Sequence, residues 1–411
     1  MTADSNSADV LIAGGGIAGA ALATMLGRRG FRVELFERAQ FPREKPCGEG
    51  LMPAGVAVLD RLGLMEAAGG APFLGVRYHL GDCIAQGRFP EASGVPVVGR
   101  GLRRKHLDHV LFQAAAATPG VSAHTGTRVD APLCENGRVV GLIVEGESRR
   151  AQLVVGADGV HSRIRHRLGL DVRPRRKRVG LRAHFRLAAG QVHPAWVDVY
   201  VCRGYELYVT PLPDDELLIA ALVDAESLAG PIEPTFHRWC RSQPSLAEEL
   251  EGAEPISSIL AISPLAGCAR RGVARGVVLL GDAAGFLDPI TGGGMTQALM
   301  TAELLTEWIS CHWGGSEEWT WQFDRARKAM LRDYSLLTAA VLWLSGHPRL
   351  AARLLPSLQA RPTLLSHLVG VSGGVRRLFE WPHGEVSPPE SLVKEPTPRP
   401  GGSPGTLRLG S

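Results

Sequence analysis

An α/β fold with a second, antiparallel sheet inserted into it is predicted by three observations. The stretch from Asp9 to Glu37 runs as a short apolar strand, a glycine turn, a small-residue helix and a second strand. From about Val179 to Val223 the pattern changes to period two, with WVDVYV and ELLIAALV flanking YELYVTPLP, as in an antiparallel sheet walling a pocket. Residues 276–309 then return to the first pattern: a buried strand, a Gly-rich loop and a helix from about Met295.

The first element order builds a dinucleotide site of Rossmann type. Gly14-x-Gly16-x-x-Gly19 follows the strand Val10–Ala13: Gly14 permits the tight turn, Gly16 lets a pyrophosphate reach the backbone, and Gly19 lets helix and strand pack closely. Free amides at the helix start, around Ile17 and Ala18, meet the negative phosphates. Glu37, about 20 residues on, is the acid expected on the ribose hydroxyls, and its charge repels a 2′-phosphate. The nucleotide is therefore FAD or NAD.

The next segment, PREKPCGEGLMPAGVAVLDRLGL, brings Gly48, Gly50 and Gly55 ahead of a helix with Val56, Leu59 and Leu62 at helical spacing, so its loop suits close approach to a flat ligand. Residues 101–117 read as a helix with Leu107, Leu111 and Ala114 on one face. Arg104 at its start either touches a phosphate or ribityl chain or is solvated. TRVDAPLCENGRVVGLIVEG reads as a hairpin on its Asn-Gly turn. A buried run from Gln152 ends in Asp158-Gly159, and Val277–Leu280 ends in Gly281-Asp282, where open α/β sheets bind ligands. Taken alone, Asp282 reads first as a helix cap.

At 411 residues the chain exceeds one ordinary core. The expected organisation is a discontinuous nucleotide-binding domain (1–75, 100–178, 270–333), a β-sheet substrate domain (76–99, 179–269), a helical region (334–383) and a disordered tail rich in Pro, Gly and Ser (384–411). No run approaches a membrane span, and MTADSNSAD lacks the features of a secretory signal, so a cytoplasmic location is expected. Seven cysteines without metal spacing imply neither a disulfide framework nor a metal site. The net charge of +4 is modest, and the basic run RPRRKR at 173–178 reads as a solvated loop, with no nucleic-acid module beside it.

Taken together, the glycine fingerprint with Glu37, Asp158-Gly159, and Gly281-Asp282 followed by Pro289 and Gly292–Gly294 resemble the three motifs of the FAD-dependent group A oxidoreductases, across about residues 8–310. That superfamily includes p-hydroxybenzoate hydroxylase-like aromatic hydroxylases, geranylgeranyl reductases and flavin halogenases. The resemblance implies a GR2-type FAD-binding domain. In it Gly14, Gly16, Ile17, Ala18, Gly19, Glu37 and Arg38 hold the ADP half, Val129 offers backbone to adenine, and Arg104 reaches the phosphate or ribityl region. Asp282 bonds the ribityl chain, Gly292, Gly293, Gly294 and Met295 lie along the isoalloxazine edge, and Asp158 lies near the FAD. Cys47 and Gly48 sit in the loop where the reductase branch places a cysteine beside the flavin; a small buried residue is the other reading of Cys47.

Two departures narrow the branch. Gly285 follows GDAA where hydroxylases usually carry His, whereas KPCGEG and GDAAG are similar to the reductase and halogenase branch. Glu206 and Tyr208 stand where halogenase tryptophans would align, and the reductases' Tyr-x-Trp-x-Phe-Pro is absent. The expected activity is an FAD monooxygenase in which NAD(P)H binds transiently, O2 adds to the reduced ring, and the hydroperoxide hydroxylates or epoxidises a lipophilic aromatic or polyketide-like compound. A reductase of isoprenoid or other alkenes is the alternative, and a non-catalytic FAD- or lipid-binding protein the third. No catalytic side chain is identified. Residues 334–383, apolar and rich in arginine, form a lid, a peripheral membrane contact or a plain helical cap on the FAD domain.

Overall fold

The computed structural model describes residues 8–91, 97–172, 177–228, 230–263, 265, 267–286 and 288–380. The 384–411 tail, the first seven residues and positions 173–176 of the basic run lie outside them. The described residues up to Leu378 cluster as one compact unit.

The α/β fold expected from the motifs is the one observed. Its first sheet is ordered Val273–Ala274, Val277–Leu279, Glu147–Gly156, Ala8–Ala13, Val33–Phe36 and Val121–His124. The last five strands pair in parallel, with Val10 beside Leu153 on one flank and Val33 on the other. The Ala8–Ala13 strand lies between two neighbours and is buried throughout, which explains its uninterrupted apolar run. The Ile17–Arg28 helix packs on it and on the Gly294–His312 helix, burying small residues from Ile17 to Ala23. The expected hairpin is present, Val129–Glu135 with Arg138–Val144, turning through Asn136 and Gly137 at positive φ. In the Arg104–Ala116 helix the buried stripe is Leu107, Leu111 and Ala115 rather than Ala114, because Asp108 and Phe112 also turn inward.

The second sheet is ordered Glu254–Pro255, Arg178–Arg186, Glu216–Asp224, Tyr205–Leu212, Val197–Cys202, Gly75–Leu80 and Cys83–Arg88, antiparallel except between Val197–Cys202 and Gly75–Leu80. The period-two pattern divides its faces. Leu181, Ala183, Leu207, Val209, Ile219 and Ala221 pack against Phe236, Trp239 and Leu246 from the helices behind. Gly180, Arg182, Tyr208, Thr210, Ala220 and Leu222 face the other way, into a cleft shared with the first sheet's loops.

Helices Arg332–Ser345, Pro348–Gln359 and Pro362–Ser372 complete the unit. Their packing is not confined to the nucleotide half. Leu365 and Val369 pack with Phe73, Val76 and Phe89 of the substrate half, and the Cys83–Arg88 strand contacts both later helices, because the apolar edge there needs cover. Among the described residues no helix is long and apolar enough to cross a membrane, and no group of His, Cys, Asp and Glu could hold a metal. All seven cysteines are free thiols.

Candidate functional site

The loops at the carboxyl ends of the parallel strands and the inner face of the second sheet line one shared cleft. On the nucleotide side its wall includes Gly16, Ile17, Ala18, Cys47, Gly48, Arg104, Gly281, Asp282, Pro289, Gly292, Gly294 and Met295, which were far apart in sequence. Gly14, Gly19, Glu37, Arg38, Val129, Asp158 and Gly293 do not line it.

Each of those seven has a definable place. Gly14 has φ +107°, and a Cβ on it would stand 2.3 Å from the Ala157 carbonyl oxygen; a Cβ on Gly19 would stand 1.9 Å from the Gly14 oxygen. Glu37 ends its strand as expected, but its carboxylate accepts the Gly15 and Ala39 amides, both at 3.0 Å. Arg38 is exposed and Val129 half-buried at the start of the hairpin. Asp158 Oδ2 accepts the amides of Arg163 and Ile164 at 2.7 and 3.2 Å, while Oδ1 is buried without a partner. Gly293 donates its amide to the Tyr334 hydroxyl at 3.0 Å.

The site favours an anion. The Ile17–Arg28 helix begins with no side-chain cap and no acid in its first turn, so its leading amides point at the cleft unneutralised. Arg43, Lys45 and Arg104 gather beside them. Arg104 is buried, not solvated, and bidentate to Asp108 at 2.8 and 2.9 Å; Arg43 meets the same carboxylate at 3.1 Å. Burial and the Arg104 cation push the Lys45 amine below the ordinary lysine range, against Asp282 and Asp108. Burial alone would raise Asp108, but Arg104, Arg43 and Lys45 together hold it below the usual carboxylate range. Asp282 sits in the turn Gly281–Ala284 without capping it, and lines the cleft. The Gly294–His312 helix starts at the same wall, again with no side-chain cap.

Three groups escaped the sequence reading. The basic run was expected to be solvated, yet Arg178 is buried, ion-paired to Glu206 and, at 2.8 Å, to Asp288. Only the tertiary structure brings those acids to it, although its even register with Gly180 and Arg182 was a usable signal. Glu206 is thus a partner of this cation, while Tyr208 donates to the Ile290 carbonyl at 3.1 Å. Tyr334 braces the glycine loop by accepting from Gly293 and from Thr291 at 2.7 Å. The third group is a chain of Glu44, Arg182, His184 and Glu49, buried except at Glu44.

These features fit FAD: uncapped amides and three cations for a pyrophosphate, an acid at the strand end, and a glycine-bearing helix start across the cleft. A family model described as an FAD binding domain matches residues 7–330. The chain is 28% identical over 332 residues to a menaquinone reductase of Mycolicibacterium smegmatis, covering 73% of this chain and 76% of the relative. It is 31% identical over 318 residues to a 6-methylpretetramide 4-monooxygenase of Streptomyces rimosus, covering 73% and 74%. The fold is similar to that of a flavoprotein/dehydrogenase from Cytophaga hutchinsonii, with TM-score 0.76, 22% identity and 89% and 92% of the two chains covered. The chain accordingly belongs to the FAD binding domain family, within the group A flavoprotein oxidoreductases.

Proposed function

We propose that this FAD-dependent oxidoreductase is a monooxygenase that uses NAD(P)H and O2 to hydroxylate or epoxidise a lipophilic aromatic or polyketide-like molecule. The observation that carries this reading is the single cleft in which the nucleotide loops face a mostly apolar sheet wall of Phe73, Val197, Ala220, Leu222, Ile262 and Leu265. The relative named as a 6-methylpretetramide monooxygenase supports it.

Bound FAD would supply the acceptance of reducing equivalents and the activation of oxygen. The protein's part is binding, orientation and the exclusion of water. In this reading the amides from Gly16 onward, with Arg43, Lys45 and Arg104, hold the pyrophosphate, while Glu37 with Arg38 and the Val129 backbone serve the adenosine end. Asp282 bonds the ribityl chain, and Pro289, Gly292, Gly294 and Met295 border the isoalloxazine. The start of the Gly294–His312 helix then lies where negative charge develops on reduction, which its dipole stabilises. Asp158 shapes the neighbouring loop through the amides it caps. NAD(P)H would bind transiently, since the chain carries one dinucleotide fingerprint.

Reduction of an alkene is the second reading, favoured by Cys47 on the cleft wall and by the menaquinone reductase relative. Oxygen and NAD(P)H consumption with a panel of aromatic and prenyl compounds tests the choice. Substrate-stimulated oxygen uptake with one labelled oxygen atom entering the product is expected. Anaerobic product formation would instead establish the reductase, and no redox turnover would leave a binding protein.

A further inference from the structure

The C-terminal helices carry the protein's excess of cations. Between Asp333 and Glu380 the chain has five arginines, at 349, 353, 361, 376 and 377, and no acid, whereas all 411 residues together net only +4. The side chains of Arg349, Arg353 and Arg361 are exposed and form no ion pair or hydrogen bond with a described residue. Helix Pro348–Gln359 itself has no buried residue, although four of its positions are leucine. Leu355 and Leu358 lean on the apolar cluster around Phe73 and Val369, while Leu354 stays 40% exposed.

The preceding helix, Arg332–Ser345, adds an apolar ridge. Leu336, Ala339, Ala340 and Trp343 fall at helical spacing on one face and are all exposed, Leu336 by 46% and Trp343 by 57%. The other side of the helix is already packed: Leu337 and Thr338 are buried, and Val341 and Leu342 meet Leu222 and Leu265 of the cleft wall. The ridge also runs on toward the arginines, because the Trp343 ring lies 4.3 Å from that of His347, two residues before Arg349. An exposed tryptophan with an apolar body and one N–H donor suits the boundary between water and lipid.

The combination of charge and apolar surface selects the occupant. A second copy meeting this face about a two-fold axis would set arginine against arginine. Nucleic acid would take the cations and leave Leu336 and Leu354 without an apolar partner. An anionic bilayer answers both needs, with phosphates for the arginines and acyl chains for the ridge.

We propose that helices Arg332–Ser345 and Pro348–Gln359 dock in the plane of an anionic phospholipid bilayer, with Leu336 and Trp343 at headgroup depth and Arg349, Arg353 and Arg361 on lipid phosphates. At 14 and 12 residues the two helices are too short to cross it. Docking of this kind is independent of the reaction that the flavin performs. It places the leaflet one helix diameter, about 10 Å, from the cleft wall at Leu222 and Leu265.

Co-sedimentation of the full-length, FAD-loaded protein with sucrose-loaded vesicles tests the docking, comparing phosphatidylcholine alone with an equal mixture of phosphatidylcholine and phosphatidylglycerol. Binding to the anionic vesicles is expected to be on the order of tenfold tighter and to weaken as salt is added. Arg349→Gln, Arg353→Gln and Arg361→Gln together should lower it about a hundredfold, and Leu336→Ser with Trp343→Ser on the order of tenfold, both with the flavin absorbance unchanged. Arg149→Gln, Arg150→Gln and Arg186→Gln, an equal loss of exposed charge elsewhere, should leave it within about twofold of wild type. Equal affinity for the two vesicle types, no binding to the anionic ones, binding that survives either set of substitutions in the helices, or an equal loss from the control set overturns the proposal. A dimer in light scattering that Trp343→Ser dissociates overturns it too, in favour of a second copy on this face. Should the variants fail to retain FAD, the two vesicle types with the wild type decide alone. No reductant or substrate is present, so failure of oxygen uptake leaves this result standing, and absence of vesicle binding leaves the monooxygenase reading untouched.

Discussion

At Gly19 one added carbon decides whether the first helix can lie on its strand. A Cβ there would stand 1.9 Å from the Gly14 carbonyl oxygen, far inside contact distance, and both partners are backbone. Gly19→Ala should therefore push the helix off the strand and cost about 1–3 kcal/mol, as over-packing does in a dense interior. The same displacement carries the leading amides away from the pyrophosphate. The expected outcome is a lower denaturant midpoint together with loss of flavin absorbance after gel filtration; a variant that keeps its flavin at wild-type stoichiometry contradicts it.

Between elements, the connection that matters most for the cleft is an ion pair rather than an apolar contact. Arg178 in the Arg178–Arg186 strand joins Glu206 in the Tyr205–Leu212 strand to Asp288, whose Oδ1 also caps the Pro289–Thr291 turn through the Ile290 amide at 3.0 Å. The second sheet is thus tied to the loop that leads into Gly292–Met295. Burial pushes the Glu206 carboxyl up and Arg178 pulls it down, with the net direction upward, so removing Arg178 leaves two buried acids without their cation. Arg178→Met should cost about 3–5 kcal/mol in chemical denaturation. Adding Glu206→Leu should return part of that loss, because one of the stranded charges is then gone. A double variant no more stable than the single one would place the cost elsewhere.

Across the whole molecule, the edge of the second sheet carries a pH-dependent bond. Asp198 accepts from Arg77 at 2.7 Å, meets the His79 ring, and lies 3.4 Å from His193, which also pairs with Glu249 and reaches the Trp196 carbonyl at 3.0 Å. Burial alone would lower His193, yet its bonds to Glu249 and the charge of Asp198 outweigh that and raise it above the ordinary imidazole range. A raised value means the folded state holds the proton more tightly than the unfolded chain. The stabilisation is complete below the ordinary imidazole range and is lost as pH rises through the folded value. Urea midpoints should therefore fall across that window, and His193→Gln should make the decline shallower. An unchanged slope in the variant would remove His193 as its source.

What the chain alone determined is local: strand, glycine turn and helix at 9–37, the hairpin at Asn136-Gly137, and the period-two wall from Val179 to Val223 each follow from sterics and periodicity within a few residues. Those signals placed Gly16, Gly48, Asp282 and Gly294 near one another through resemblance, and the cleft includes all four. The three-dimensional packing alone decided which charges are buried. Arg178 looked like the end of a solvated basic run, and the chain of Glu44, Glu49, Arg182 and His184 joins residues more than a hundred positions apart. Charge pairing in an interior depends on distance and on displaced water, and neither quantity is written in the local sequence.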